Sequence, residues 1–93
     1  IDETLNLSPE GIAAAITPKT KAVLLVQMCG AMGRMEEIVQ LCADRNVMLI
    51  EDSAQALGAS YHGKFAGLWG RMGCYSFDYF KITTCGEGGV VVT

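Results

Sequence analysis

Two apolar rhythms divide the chain. The short unbroken runs Ala22-Val23-Leu24-Leu25-Val26 and Val47-Met48-Leu49-Ile50 read as strands covered on both faces, the pattern of parallel sheets. Between them, Met35, Ile38, Val39 and Cys42 recur at helical spacing while Glu36, Glu37 and Gln40 face water. That pattern predicts a helix over Met32 to Arg45. Upstream, Ser8 has N-cap chemistry and Pro9 suits a first helical position. Ile12, Ala15 and Ile16 give this shorter helix one apolar face, and Thr17-Pro18 closes it. Strand, helix and strand within about thirty residues make a right-handed βαβ unit with parallel pairing.

A third strand is predicted over Gly73 to Phe77 and a last one from near Gly89, through Val90-Val91-Val92. About eleven residues without helical pattern separate them, and a parallel crossover needs a dozen or more. The last strand should therefore run antiparallel. The expected architecture is α/β in three layers, α/β/α, around a mostly parallel sheet with one antiparallel strand. The chain opens on Ile1 rather than Met and stops on strand-like residues, so a fragment of a larger protein is expected, folding poorly alone.

Composition narrows the possible functions. A 51% apolar content is that of a globular chain, and 7 Lys+Arg against 10 Asp+Glu give a formal charge of −3. Basic residues scattered singly build no stripe for phosphate neutralisation, which argues against a nucleic-acid partner. The longest apolar runs fall far short of the roughly 18 residues of a membrane span. Cys29, Cys42, Cys74 and Cys85 form no C-x-x-C pair and have no companion His cluster, so no metal site is expected. They read as buried free thiols in a reducing compartment, the cytoplasm.

In open α/β sheets, ligands gather beyond the carboxyl ends of the parallel strands. Glu51-Asp52-Ser53-Ala54-Gln55 follows the second strand and Ser76-Phe77-Asp78-Tyr79-Phe80-Lys81 follows the third. Two strand tips thus deliver an acid, an amide, a hydroxyl and an amine toward one crevice. Singly, an acid after a strand is usually an N-cap and a loop Lys usually a solvated charge; their combination carries the signal. Neighbouring strand residues face opposite ways, so Glu51 and Asp52 should not share a proton.

Asp52-x-x-Gln55, Ser76-Phe77-x-x-x-Lys81 and Gly86-Glu87-Gly88-Gly89, in that order before an apolar strand, resemble the DegT/DnrJ/EryC1/StrS family of sugar aminotransferases. These are fold-type-I enzymes dependent on pyridoxal 5'-phosphate (PLP). The resemblance extends to Asp2, Thr4, Asn6, Pro9, Ile12, Ala15 and Ile16, and through Thr17 to Ala22. It implies that Lys81 forms the Schiff base with the cofactor aldehyde and, once freed, shuttles the substrate proton. It further implies that Asp52 keeps the pyridine nitrogen protonated, so that the ring acts as an electron sink. Gln55, on the same side of a helical turn, would bond the ring 3-oxygen; Ser76 would meet the phosphate and Ala54 would pack on a ring face.

The implied reaction moves an amino group from an amino acid, glutamate above all, to a keto- or aldehydo-sugar. Nucleotide-linked sugars and cell-surface polysaccharide (lipopolysaccharide) assembly are the family's usual setting. The implied assembly is a homodimer with sites completed across the interface. Residues 1–93 would be the central part of the PLP-binding large domain. The Gly-Thr phosphate turn, the ring-stacking aromatic and the small carboxyl-terminal domain would lie elsewhere.

Departures from the family's common pattern leave the substrate open and the cofactor constellation intact. Asp78-Tyr79-Phe80 replaces the common His-Pro-Thr, Ile82 the common Asn, and Val26-Gln27-Met28-Cys29-Gly30 the common Val-His-Leu-Tyr-Gly. The variant looks most like the branch that aminates C8 of a 3-deoxy-octulosonate sugar acid. Some relatives carry His for the lysine and act as dehydratases, and a non-catalytic relative is a further alternative; Lys81 argues for transamination.

Gly58 to Lys64 matches G-x-x-x-x-G-K, yet Phe65 stands where a phosphate loop needs Ser or Thr and no helix follows. His62, the only histidine, reads as a surface-turn residue. The Gly86–Gly89 segment and Glu87 read as a structural turn into the last strand.

Overall fold

A computed structural model of the chain describes residues 1–93. Helix α1 (Pro9–Ala15) has Ser8 as N-cap, whose hydroxyl accepts from the Gly11 N–H, and Pro9 in its first turn. Both features are those expected, although Ala15 is exposed and Ile16 serves as the C-cap. Helix α2 (Met35–Asp44) starts three residues later than the periodicity suggests. Gly33, at φ 63°, and Arg34, outside helical dihedrals, keep the preceding residues in an irregular turn.

The main sheet has the order β1-β2-β5-β6, built from β1 (Ala22–Val26), β2 (Met48–Asp52), β5 (Met72–Ser76) and β6 (Gly89–Val92). The first three strands are mutually parallel and β6 is antiparallel to β5, as the short connection requires. Strands β3 (Ser60–Tyr61) and β4 (Lys64–Phe65) form a separate small hairpin. His62 and Gly63 make its turn, both at positive φ, the dihedrals a tight two-residue hairpin demands. The G-x-x-x-x-G-K segment is thus a hairpin, with His62 exposed at its tip and 3.0 Å from Glu36.

Register assigns each residue to a face. Val23, Leu25 and Leu49 pack against Ile12, Met35 and Ile38 of the helices. The other face carries Leu24, Met48 and Val91, which are 56%, 44% and 63% exposed. The prediction of strands covered on both faces therefore holds on one side only within these residues; the helix layer and the sheet are present, and the second face is bare. The thiols differ from expectation too. Cys42 is buried, and burial pushes its thiol up from the ordinary range, whereas Cys29 and Cys85 are exposed and Cys74 is half-buried. The exposed pair lies on the loops beyond the strand tips, where no second layer covers it. No helix is long and apolar enough to cross a membrane.

Candidate active site at the strand tips

The parallel strands end side by side, with Val26 opposite Asp52 and Asp52 opposite Cys74. Strand alternation puts Asp52, Cys74 and Ser76 on the bare face of the sheet. From strand spacing and rise, the Cα atoms of Asp52 and Ser76 stand about 8 Å apart on that face. Beyond β2, the chain makes a turn closed by the Ala56 N–H on the Ser53 carbonyl. Gln55 sits on this turn; the expected helical turn is absent, because the Ala59 N–H bonds Ala56 and starts a second turn instead of continuing a helix.

Three candidate side chains share one arrangement. Asp52 Oδ1 accepts from the Ala54 N–H at 3.1 Å, Gln55 Oε1 accepts from the Cys29 N–H at 2.9 Å, and Ser76 Oγ accepts from the Asp78 N–H at 3.3 Å. Each is held by one backbone donor and keeps its other functional atom unpaired. That leaves a carboxylate oxygen, an amide NH2 and a hydroxyl proton. Such a set can accept one hydrogen bond and donate two to a ligand lying across the strand tips. Ala54 is half-buried beside Asp52 and adds no bulk there.

Lys81 stands half-buried on the loop that joins β5 to β6 and leaves from the same end of the sheet. The loop is pinned at its neck. Phe77 N–H bonds the Gly88 carbonyl at 2.8 Å, and the Phe77 carbonyl accepts from the Cys85 N–H and the Thr84 hydroxyl. A further turn, Lys81 N–H to Asp78 carbonyl at 3.0 Å, fixes the backbone that carries the amine. Gly86 lies at φ 89°, in the left-handed region that glycine adopts freely, so the glycine segment serves as a turn, as read. Glu87 contributes its carbonyl, which accepts from the Cys85 thiol.

The inward face of the same strand tips holds a polar network that the motif reading passed over. Glu51 is fully buried, and its carboxylate accepts from Gln27 Nε2 at 2.6 Å and from the backbone N–H groups of Gly67 (2.8 Å), Trp69 (2.6 Å) and Gly70 (2.6 Å). Gln27 Oε1 in turn accepts from the Ser53 hydroxyl at 2.5 Å. Strict alternation was the available signal: Val23, Leu25, Gln27 and Leu49, Glu51, Ser53 occupy inward positions, and an inward polar residue must find partners. The network also confirms that Glu51 and Asp52 face opposite ways. Nearby, burial and the Glu51 charge raise the Tyr75 phenol above its ordinary range, which keeps it protonated to donate to the Ala66 carbonyl at 2.5 Å.

Three parallel strands, one antiparallel strand and the helix layer define an α/β fold of the fold-type-I class. The DegT/DnrJ/EryC1/StrS aminotransferase family model matches residues 1–93, and the chain belongs to that family. The GDP-perosamine synthase of Escherichia coli O157:H7 is 45% identical over 99% of this chain and 25% of its own length. The 3-amino-5-hydroxybenzoate synthase of Amycolatopsis mediterranei is 44% identical over 96% of this chain and 23% of its own. An aminotransferase structure from Psychrobacter cryohalolentis superposes with a TM-score of 0.95 at 44% identity, over 100% of this chain and 24% of that one. An E. coli GDP-4-keto-6-deoxy-D-mannose-3-dehydratase with bound hydrated PLP gives 0.91 at 37% identity, over 100% and 24%. The chain thus spans about a quarter of the length of the relatives it matches.

Proposed function

We propose that residues 1–93 are the central part of the PLP-binding large domain of a sugar aminotransferase. The enzyme would transfer an amino group from an amino acid, glutamate above all, to a keto- or aldehydo-sugar. The arrangement that carries this reading is the trio Asp52, Gln55 and Ser76, each held by a backbone N–H and each offering the atom the cofactor needs.

When bound, PLP supplies an electron sink for negative charge developing at the substrate carbon. Asp52 Oδ2 would hold a proton on the ring nitrogen. The Gln55 NH2 would donate to the ring oxygen, the Ser76 hydroxyl would donate to the phosphate, and the small Ala54 side chain would leave a ring face free. Lys81 would bond the aldehyde carbon and, when released as an amine, move the proton at the substrate carbon. A nucleotide-linked sugar or sugar acid is the acceptor in this reading, and a homodimer completes the site. Dehydration of the same sugar class is the second reading, supported by the 37% identity to the dehydratase. Lys81 favours amine transfer.

The holoenzyme should absorb in the visible through covalently held cofactor, and Lys81→Ala should remove that band and the activity together. 15N-labelled glutamate should leave its nitrogen in the sugar product. Cofactor that stays covalently attached in Lys81→Ala, or sugar that changes without gaining nitrogen, would refute the transferase reading.

A further inference from the structure

A primary amide can face either way, because its oxygen and nitrogen are nearly the same size. What settles the direction of Gln55 is a single neighbour, the backbone N–H of Cys29, which accepts nothing and so requires the amide oxygen. That N–H is aimed by an uncommon backbone. Cys29 lies at φ 54°, ψ 25°, and Gly30 follows at φ 81°. Left-handed geometry is unfavourable for a residue with a Cβ, and it persists where surrounding structure over-determines it.

Here the over-determination is visible. Gln27, two residues earlier and fully buried, is clipped to the segment that carries Gln55. Its N–H bonds the Asp52 carbonyl at 3.1 Å, its Oε1 accepts from Ser53 at 2.5 Å, and its Nε2 donates to Glu51 at 2.6 Å. The turn then closes on itself through the Ala31 N–H and the Met28 carbonyl at 3.0 Å. The tips of β1 and β2 are therefore pinned together at an inner, dry end by Gln27 and at an outer end by Cys29.

We propose that Cys29 is a positioning residue whose left-handed backbone N–H, secured by the buried Gln27 clip, locks the Gln55 amide with its oxygen inward and its NH2 toward the cofactor's ring oxygen. This rests on the cofactor reading above. Position 29 contributes through its backbone, so its side chain is free to vary and Gly is compatible with it, since Gly adopts positive φ at no cost.

Two readouts on the full-length protein separate the bond from its purpose. One is hydrogen exchange of the Cys29 amide in the cofactor-free protein; the other is the apparent Kd for pyridoxal 5'-phosphate. Gln55→Ala removes the acceptor and the donor together. It should speed Cys29 exchange and weaken PLP binding, each about tenfold, the worth of one hydrogen bond. Gln55→Glu keeps an acceptor for Cys29 but points a carboxylate oxygen at the ring oxygen, so exchange should stay slow while PLP binding falls at least as far. Unchanged Cys29 exchange in Gln55→Ala, or exchange as fast in Gln55→Glu, would overturn the positioning role. Exchange that responds as expected while both variants bind PLP like wild type would instead overturn the cofactor reading, and with it the purpose assigned to the lock.

Discussion

Removing the Glu51 carboxylate should loosen one loop selectively. Glu51→Ala leaves the N–H groups of Gly67, Trp69 and Gly70 without their acceptor, and Gln27 without its partner. Gln27 can turn its amide over toward Ser53, whose hydroxyl accepts as readily as it donates, but the backbone donors cannot turn. Gly67 is fully enclosed, while Trp69 and Gly70 are half-buried and within reach of water. At about 1–3 kcal/mol for an enclosed orphan donor and less for wetted ones, the loss should be about 3–5 kcal/mol. Glu51→Gln is the instructive comparison. Its remaining oxygen can serve Trp69 and Gly70, and a flipped Gln27 can accept from its NH2, so only the Gly67 N–H faces another donor. The expected cost is about 1–2 kcal/mol. Denaturant midpoints at constant slope give the totals, and hydrogen exchange gives the map: fast at Gly67, Trp69 and Gly70 in the alanine variant, fast at Gly67 alone in the glutamine variant. An alanine variant within about 0.5 kcal/mol of wild type, the range of ordinary surface changes, would refute the account of Glu51 as the loop's anchor.

Gly73→Ala should destabilise by about 1–3 kcal/mol or more, because the added methyl meets the backbone of Gly67, which cannot move aside as a side chain would; a neutral thermal shift would contradict that crowding. Asp52→Asn should still bind cofactor yet cut turnover by orders of magnitude, since an amide cannot hold the ring proton as a carboxylate does; single-turnover rates test it, and near-normal rates would remove Asp52 from its assigned role. Bonds from Thr4 hold the Asp2 carboxyl below its usual 3.8, and the Arg34 guanidinium holds Glu10 below its usual 4.5. Carboxylates lowered by folding stabilise above their unfolded values and lose that contribution as pH falls through the lowered ones. Arg34→Met should therefore cost stability above about pH 5 and little in stronger acid, which urea midpoints across pH can check; a constant difference would count against the ion cluster.

The βαβ unit was readable because its parts carry strong and different periodicities, and the direction of β6 followed from the shortness of the loop before it. Helix α2 starts three residues late because Gly33 and Arg34 hold irregular backbone before it, and the limits of β2 and β5 slipped by one or two residues. Asp52, Gln55, Ser76 and Lys81 could be named because their order and spacing resemble the family's motifs. Asp52 and Ser76 are held by N–H groups two residues on, but the other partners were not legible: Cys29 reaches Gln55 across 26 positions, and Glu51 reaches Gly67, Trp69 and Gly70 across 16 to 19. Those contacts belong to topology rather than to local pattern. Which sheet face would be bare was equally illegible, because unbroken apolar runs look the same whether the second cover lies nearby or far away in sequence.

The strand order leaves β1 and β6 as outer members, each with one row of backbone donors and acceptors unpaired. Val90-Val91-Val92 on one flank carries no charge and no proline, the composition that invites a stray strand to add on. Separated from whatever normally shields those margins, such a ribbon is a template for intermolecular stacking, so production of this segment by itself should favour inclusion bodies over monomer unless a charged residue is placed at Val91.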